Sequence, residues 1–277
     1  MIRRRPAGRP SADDLLTELG RLTASALEQT EAQRARVELA EALQRELLPS
    51  ALPQLPGLRA AARYAPARHG LSVGGDWYDG FRLADGSVAF SLGDVQGHDV
   101  EAAAIMGQVR VGLRAVATTD ADPGEVLSRA NDLLISMDSR RFATCTFLRY
   151  DPATGDLSHA RAGHVPSIWA DGEGRWGQCT ADDEGGPPLG VLPGQRYPVG
   201  HHRLTGTGVV ALVTDGVVEG PEFPIEAGLE RVAAVLRERV ADEPEVLAAE
   251  LLEVADLTGH TDDAAVLVLR HDDRHDP

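Results

Sequence analysis

From Leu58 onward, short apolar segments alternate with glycine-rich turns, and this alternation limits the fold more than any other feature of the sequence. Short apolar segments that are bounded by such turns are typical of β-strands. Asp85-Gly86 and Thr154-Gly155 lie between neighbouring segments and predict hairpins. The predicted strands are 58–64, 77–83, 88–92, 143–150, 157–162, 167–170, 209–213 and 264–269.

Helical spacing is found in fewer segments of this region. Asp122-Pro123-Gly124-Glu125 combines a capping carboxylate, a proline in the first turn and an acidic third position, which together predict a helix start. Because the strands follow one another through hairpins and the helices come in adjacent pairs, the pattern favours an antiparallel α+β layered domain over a βαβ repeat. The predicted helices are 100–117, 123–137, 228–240 and 243–257.

The N-terminal part of the chain has a different pattern. Residues 1–10 are rich in arginine and predict a disordered arm, whereas residues 11–48 contain no proline and predict one long helix. Leu15, Leu19 and Leu22 repeat at alternating spacings of four and three, as in a coiled coil. The same rhythm resumes at the C-terminal end of the helix, with Ala40, Leu43 and Leu47, but the seam positions between the two ends are polar. Two interpretations stay open: a helix that dimerises or transmits a signal, and an amphipathic helix that lies on its own domain.

Composition argues against several classes of protein. The chain has 43 acidic against 27 basic residues and a formal net charge of −16, so a nucleic-acid duplex would repel it. No apolar run approaches the roughly 20 residues of a membrane span, and the arginine-rich start lacks the apolar core of a secretory signal. Cys145 and Cys179 are too few for a disulfide framework. We therefore expect a cytoplasmic protein that binds neither nucleic acid nor membrane.

Acidic clusters lie at the ends of the predicted strands. Asp76, Asp94 and Asp215 each stand beside glycine and close to an apolar segment, and Asp262 precedes the last strand. Carboxylates at the ends of buried strands are costly unless their charge is balanced, and His98 is the one basic residue within the clusters. Mg²⁺ or Mn²⁺ would balance them, since both ions prefer oxygen ligands.

Each cluster also has a simpler interpretation. Asp-Gly pairs are common in turns, and a chain with 29 glycines contains some of them by chance. Asp85-Gly86 and Asp171-Gly172 are expected to be turns of this kind. A series of clusters, each on a strand end, favours the metal-site interpretation for the others.

A series of motifs runs through the chain in a fixed order. These motifs are Leu47-Leu48-Pro49, Val73-Gly74-Gly75-Asp76-Trp77-Tyr78-Asp79, Gly93-Asp94-Val95-Gln96-Gly97-His98, Phe142-Ala143-Thr144, Ala162-Gly163-His164, Pro188-Leu189-Gly190-Val191, Thr214-Asp215-Gly216-Val217-Val218-Glu219 and Asp262-Asp263. The set resembles the metal-dependent protein serine/threonine phosphatases (type 2C, or PPM), and within them the bacterial SpoIIE/RsbU-like branch. The resemblance covers about residues 46–270, which is most of the chain.

The resemblance implies a fold of the α+β class, a layered α-β-β-α sandwich of two antiparallel sheets flanked by helices, preceded here by the long N-terminal helix. The expected organisation is a disordered arm over 1–10, a linker or dimerisation helix over 11–48, a PPM-type phosphatase domain over 52–270 and a frayed tail over 271–277.

The resemblance also implies two Mn²⁺ or Mg²⁺ ions, and the spare acids would allow a third. Its metal ligands would be Asp76, Asp94, the Val95 carbonyl, Asp215, Asp262 and, at a lower rank, Asp263. Asp94 would bridge both ions, Asp76 and Val95 would serve the first, and Asp215 and Asp262 would serve the second. The same four aspartates, at 76, 94, 215 and 262, would be the catalytic residues. The ions would acidify a shared water that attacks phosphorus in line, so no protein nucleophile is needed.

The chain departs from eukaryotic-type relatives beside the bridging position. Gln96 stands where those relatives have a histidine that is a candidate acid; His98 could substitute for it, but a histidine that only caps or packs fits equally well. Asp99 replaces a glycine and is expected to cap the following helix. Asp79 is expected to hold metal-bound water or the local turn, and His164 to serve in a turn or in packing.

The resemblance implies a phosphoserine/phosphothreonine protein phosphatase whose substrate is a phosphorylated STAS-type anti-anti-sigma factor in a partner-switching pathway. The helix over 11–48 would form a homodimer or receive an upstream regulator, because fewer than 50 residues precede the domain in this sequence. The alternative is a catalytically weak, phosphatase-like binding module in signalling, which Gln96 and Asp99 motivate. The retained acidic positions argue against it, and the net charge argues against a metal-dependent nuclease.

Overall fold

The computed structural model describes residues 12–66, 74–97, 99–119, 122–137, 140–179, 185–221, 223–259 and 262–272. The helices are α1 (Ala12–Leu47), α2 (Val100–Ala117), α3 (Pro123–Ser136), α4 (Asp215–Val218), α5 (Ile225–Glu238) and α6 (Pro244–Thr258). The strands are β1 (Leu58–Ala65), β2 (Trp77–Arg82), β3 (Val88–Val95), β4 (Ala143–Tyr150), β5 (Asp156–Ala162), β6 (Ser167–Asp171), β7 (Trp176–Cys179), β8 (Val199–Arg203), β9 (Gly208–Val213) and β10 (Ala264–His271). Within these ranges no helix is long and apolar enough to cross a membrane.

The strands form two five-stranded sheets, and every pairing within them is antiparallel. The first sheet has the order β1-β10-β9-β6-β7 and the second has the order β2-β3-β4-β5-β8. The first sheet therefore joins strands from both ends of the domain, whereas the second follows chain order from β2 to β5. β3 of one sheet and β9 and β10 of the other carry the acidic clusters at their ends.

Three layers of apolar side chains hold the sandwich together. The inner layer lies between the sheets and includes Phe90 and Leu267. Met106 on α2 belongs to a layer that covers the outer face of the second sheet, and Leu251 on α6 belongs to one that covers the first. The prediction of an α-β-β-α sandwich of the α+β class is confirmed.

Two edge strands escaped the sequence analysis. β7 and β8 lie at the edges of their sheets, and their short sequences, such as Val199-Gly200-His201-His202-Arg203, have no apolar run. An edge strand with one solvated side does not need such a run. Cys179 is the last residue of β7 and is buried between the sheets.

The long N-terminal helix is present as one uninterrupted element. Its C-terminal residue Leu47 packs against α2, where a Cβ atom on Gly107 would lie 3.0 Å from Leu47 Cδ2. Further towards the N-terminus, Leu16, Leu19 and Leu22 are each more than half exposed. This exposure disfavours the interpretation of α1 as a helix that lies along its own domain. Ser11 and the arm over 1–10 lie outside the described residues.

The C-terminal strand runs further than the sequence analysis predicts. His271, expected to begin the frayed tail, is the last residue of β10 and pairs with Leu58 and Gly208. Asp272 accepts hydrogen bonds from Arg59 and Arg270. The remainder of the predicted tail, residues 273–277, lies outside the described residues.

Candidate metal centre

The predicted site residues meet at one edge of the sandwich. Asp76 immediately precedes β2 and Asp94 is the penultimate residue of β3, and these two strands are neighbours in the second sheet. Asp215 follows β9, and Asp262 and Asp263 precede β10 in the first sheet. Each sheet therefore contributes acidic side chains to the same cluster.

Several of these carboxylates accept hydrogen bonds from a threonine hydroxyl or from backbone amides. The Thr214 hydroxyl donates to Asp76 Oδ2 over 2.8 Å and accepts from the Ala265 amide over 2.9 Å, so one side chain links both sheets. Asp215 Oδ1 accepts from the Gly216 amide, and Asp262 Oδ1 accepts from the Asp263 amide, both over 2.8 Å. These bonds orient the carboxylates but leave oxygens available for a cation.

The acidic side chains repel one another strongly. Burial raises the pKa of Asp76 well above its ordinary value, and the charges of Asp94, Asp263 and Asp215 raise it further. The pKa of Asp94 is raised to about 7, first by burial and then by the charges of Asp215 and Asp262. The pKa of Asp215 is also raised, mainly by burial. Shifts of this kind mark a pocket that favours neutralisation by protons or by cations.

Glycine permits the close backbone approach that the cluster requires. A Cβ atom at Gly75 would lie 2.8 Å from Asp94 Oδ1 and 3.0 Å from the Gly97 carbonyl oxygen, and it would collide with the Val95 carbonyl oxygen. A Cβ atom at Gly216 would likewise collide with the Asp263 carbonyl oxygen. The Val95 carbonyl therefore faces the Gly75–Asp76 backbone, as the sequence analysis expects of a ligand that shares an ion with Asp76.

The donor set fits a hard divalent cation. The contributing atoms are carboxylate and carbonyl oxygens, which Mg²⁺ and Mn²⁺ prefer, and within the described ranges no arginine pairs with Asp76, Asp94, Asp215 or Asp262. Among the described residues, no group of three or more acidic, histidine or cysteine side chains is arranged closely enough to hold a metal ion as these side chains stand.

Asp79 has a different role from the expected one. It is completely buried on β2, where Arg114 Nη2 donates to its Oδ1 over 2.6 Å and Arg110 Nη1 donates to its Oδ2 over 3.1 Å. The Gly80 amide adds a third donor, and the Arg114 guanidinium stacks on Phe81 at 4.7 Å. Asp79 therefore does not hold the metal-bound water or the turn that the sequence analysis expects. It forms an ion pair that attaches α2 to β2.

The turn after Asp94 is held from the opposite side by Arg141. Asp99 caps α2 as predicted, because its carboxylate accepts from the Ala102 amide. Arg141 donates to the Gln96 carbonyl and to Asp99, although the sequence analysis did not single it out. Its position directly before Phe142-Ala143-Thr144 was the available signal. His98, the candidate acid, lies outside the described residues.

His164 is buried behind the cluster and packs there, as expected. Its Nδ1 lies 2.8 Å from the Thr144 hydroxyl, and Thr144 stands directly opposite Asp94 in the second sheet. Burial lowers the pKa of His164 to about 3, so the imidazole is neutral at physiological pH. Thr214 and Thr144 are thus two hydroxyls beside the cluster that sequence reasoning missed, although both lie within motifs it identified.

An open depression of about 400 Å³ adjoins the cluster. It is lined by Asp215, Asp262, Glu219 and Pro221, together with Gly216 and Gly220. The depression therefore exposes this side of the acidic cluster to solvent. Burial raises the pKa of Cys145 and of Cys179, so neither thiol is an activated nucleophile.

Sequence comparison finds a matching family and related proteins in bacteria. A sequence model of the family described as stage II sporulation protein E (SpoIIE) matches residues 84–272. Protein IcfG of Synechocystis is 28% identical over 259 residues, which are 83% of this chain and 39% of that protein. Phosphoserine phosphatase RsbU of Bacillus subtilis is 25% identical over 188 residues, which are 67% of this chain and 54% of that protein.

A solved structure extends the comparison to the fold. The crystal structure of the RsbU and RsbW domains of Rv1364c from Mycobacterium tuberculosis superposes with a TM-score of 0.71 and is 28% identical. The match covers 82% of this chain and 63% of that one. The chain spans about half of the length of the curated relatives IcfG and RsbU.

Proposed function

The chain belongs to the SpoIIE family of PP2C-type (PPM) phosphatases, and from that membership we propose that it is a Mn²⁺- or Mg²⁺-dependent phosphoserine/phosphothreonine protein phosphatase. The convergence of buried, mutually repelling carboxylates from both sheets carries the proposal. Such a cluster is unstable as a set of bare anions, and divalent cations are the partners that its oxygen donors suit.

The proposed ligands are those that the family resemblance implies. Asp94 would bridge two ions, with Asp76 and the Val95 carbonyl on one side and Asp215 and Asp262 on the other; Asp263 ranks below Asp262. When bound, such ions supply the acidification of a water molecule and the neutralisation of phosphoryl charge. We also propose that the spare acidic groups allow a third ion to bind.

The remaining residues of the site would position these groups. Thr214 fixes one oxygen of Asp76 and leaves the other to face the cluster. The Val95 amide donates to the Gly75 carbonyl over 3.1 Å, which keeps the end of β3 beside Gly75. The depression beside Asp215 and Asp262 would receive the phosphorylated segment of a protein substrate. No side-chain nucleophile enters the proposal.

We further propose that the substrate is a phosphorylated STAS-type anti-anti-sigma factor. The likeness to phosphoserine phosphatase RsbU supports a phosphoserine substrate. In the solved relative Rv1364c an RsbU domain and an RsbW domain occur in one protein, which supports a place in partner switching. Dephosphorylation would free the factor to sequester an anti-sigma kinase.

The same proposal assigns regulation to α1. The exposed leucines of this helix would form a homodimer seam or receive an upstream regulator, and the contact of Leu47 with α2 would transmit the signal to the domain.

The decisive experiment measures phosphate release from an aryl phosphate and from a phosphoserine peptide, with and without Mn²⁺. Wild type should release phosphate only with metal, and Asp94→Asn should fall to background. Asp85→Asn, which changes a carboxylate of a surface hairpin, is the matched control and should retain activity. Metal binding without phosphate release would instead support the phosphatase-like binding module, and the absence of both would refute the proposal.

A further inference from the structure

The turn between β3 and α2 follows directly after two proposed ligands, Asp94 and Val95. Residues 96–99 connect the strand to the helix, and Gly97 within the turn has a φ of 100°, a conformation that favours glycine. The direction of the Val95 carbonyl depends on how the next peptide units are held, because a peptide unit is planar. The groups that hold these peptide units therefore also hold the Val95 carbonyl in its direction.

The Gln96 backbone is held on both of its polar groups. Its amide donates to the Phe142 carbonyl over 3.0 Å, and its carbonyl accepts from Arg141 Nη1 over 2.6 Å. In a trans peptide the N–H and the preceding C=O point in opposite directions. Because the Gln96 N–H points to β4, the Val95 carbonyl points away from β4 and towards Gly75, where its oxygen is found.

Arg141 also reaches the start of α2. Its Nη2 donates to Asp99 over 2.7 Å and to Glu101 over 3.1 Å, so a single guanidinium connects the turn with the cap and first turn of the helix. A cation near a helix N-terminus is electrostatically unfavourable on its own, and the two carboxylates offset this cost. The Arg141 side chain is 19% exposed, whereas Asp99 and Glu101 are mostly exposed.

Glycine at position 97 is favoured by its φ of 100°, and it also leaves room for the Arg141 side chain, since a Cβ atom there would collide with Nη1. A side chain at this position would strain the backbone and displace the guanidinium. A lysine at position 141 cannot reproduce the planar fork of the guanidinium, since its ammonium is a single compact donor.

We propose that Arg141 is a positioning residue for the metal centre: its guanidinium holds Gln96 and Asp99, so that the Asp94 carboxylate and the Val95 carbonyl keep the orientation that the ions require. This inference rests on the proposed metal-dependent function. Groups that orient metal ligands typically change metal affinity or activity by about 10- to 100-fold when they are removed.

The test measures Mn²⁺ affinity by titration calorimetry on the full chain, together with kcat and KM for a phosphoserine peptide. Arg141→Ala should weaken Mn²⁺ binding by about tenfold or more and lower kcat, with KM nearly unchanged at saturating metal. Arg141→Lys should restore part of the affinity. Arg149→Ala is the matched control, because this arginine lies on β4 and pairs with Asp85 and Ser87 at the far end of the strand.

The possible outcomes separate this inference from the proposed function. If wild type neither binds Mn²⁺ nor releases phosphate, the proposed function fails. If wild type does both and Arg141→Ala binds Mn²⁺ with the wild-type affinity, the positioning role is refuted. A rise in KM with unchanged Mn²⁺ affinity would also refute it, and would instead indicate that Arg141 contacts the substrate phosphate. Metal-free thermal unfolding of each variant shows whether the fold is intact.

Discussion

Thr214 donates a 2.8 Å hydrogen bond to Asp76 across the gap between the two sheets. The residues are 138 positions apart in the sequence, and both are buried. The same hydroxyl accepts from the Ala265 amide, so it satisfies polar groups of both sheets. The hydrogen bonds of Thr214 therefore connect the two sheets at the acidic cluster.

Replacing the Thr214 hydroxyl should destabilise the metal-free protein. Thr214→Val keeps the shape of the side chain but leaves Asp76 without its donor and the Ala265 amide without its acceptor, which should cost about 1–3 kcal/mol of unfolding free energy. Thr214→Ser keeps the hydroxyl and should lose clearly less. Urea unfolding in the presence of EDTA measures the difference, and equal stability of the two variants would contradict the assigned bonds.

The buried ion pair of Asp79 should matter more for stability than any exposed pair. Asp79→Asn leaves Arg110 and Arg114 without their counter-charge; because the Arg114 side chain is 43% exposed, the loss should stay below the roughly 3–5 kcal/mol of a fully buried pair. Asp156→Asn, which breaks an exposed pair with Arg203, should cost clearly less, because solvent screens such a pair. Chemical unfolding of both variants tests the contrast, and similar losses would show that Asp79 does not anchor α2.

The stability of the metal-free protein should depend on pH through the acidic cluster. The folded-state pKa values of Asp76, Asp94 and Asp215 lie above the unfolded value of about 3.9, so the folded state binds more protons than the unfolded state between that value and about pH 7. The cluster's contribution to stability is thus greatest at low pH and is lost as the pH rises through the folded pKa values.

Thermal unfolding with EDTA at pH 5 and pH 8 measures this dependence. The decrease between the two pH values should be smaller in Asp94→Asn, which cannot ionise at that position. Added Mn²⁺ should stabilise the protein more at pH 8 than at pH 5, because metal binding requires deprotonated ligands. If the metal-free wild type instead became more stable between pH 5 and pH 8, and Asp94→Asn did not, the raised pKa values would be contradicted.

The exposed leucines of α1 should support self-association. Leu19→Glu combined with Leu22→Glu places charges on an apolar stripe and should shift the protein towards monomer in sedimentation experiments, while metal-dependent turnover persists. Leu257→Glu, at an equally exposed leucine on α6, is the control and should not change the mass. A wild-type chain that is already monomeric at high concentration would exclude the homodimer.

Much of the fold and the location of the site could be predicted from the sequence, because these depend on local signals. Strand-end aspartates beside glycine, as at Asp76 and Asp94, mark the edge where the sheets meet. The partners of Asp79 could not be predicted in this way, since Arg110 and Arg114 lie more than 30 residues away and only the packing of α2 on β2 brings them close.

The missed strands have a physical explanation of the same kind. β7 and β8 are bound to their sheets along one side only, and their sequences mix histidine, arginine and glycine with single apolar residues. Their position depends on backbone pairing with β6 and β5, and pairing of this kind leaves little trace in side-chain periodicity. Arg141 was missed for a related reason, because its acceptors include a backbone carbonyl that no motif reveals.

The division of the acidic cluster between two sheets has a consequence for biosynthesis. Asp76 and Asp94 are translated well before Asp262 and the strand that aligns it, β10. β10 is inserted between β1, near the start of the domain, and β9. A nascent chain on the ribosome therefore cannot assemble the complete cluster until β10 has emerged and paired.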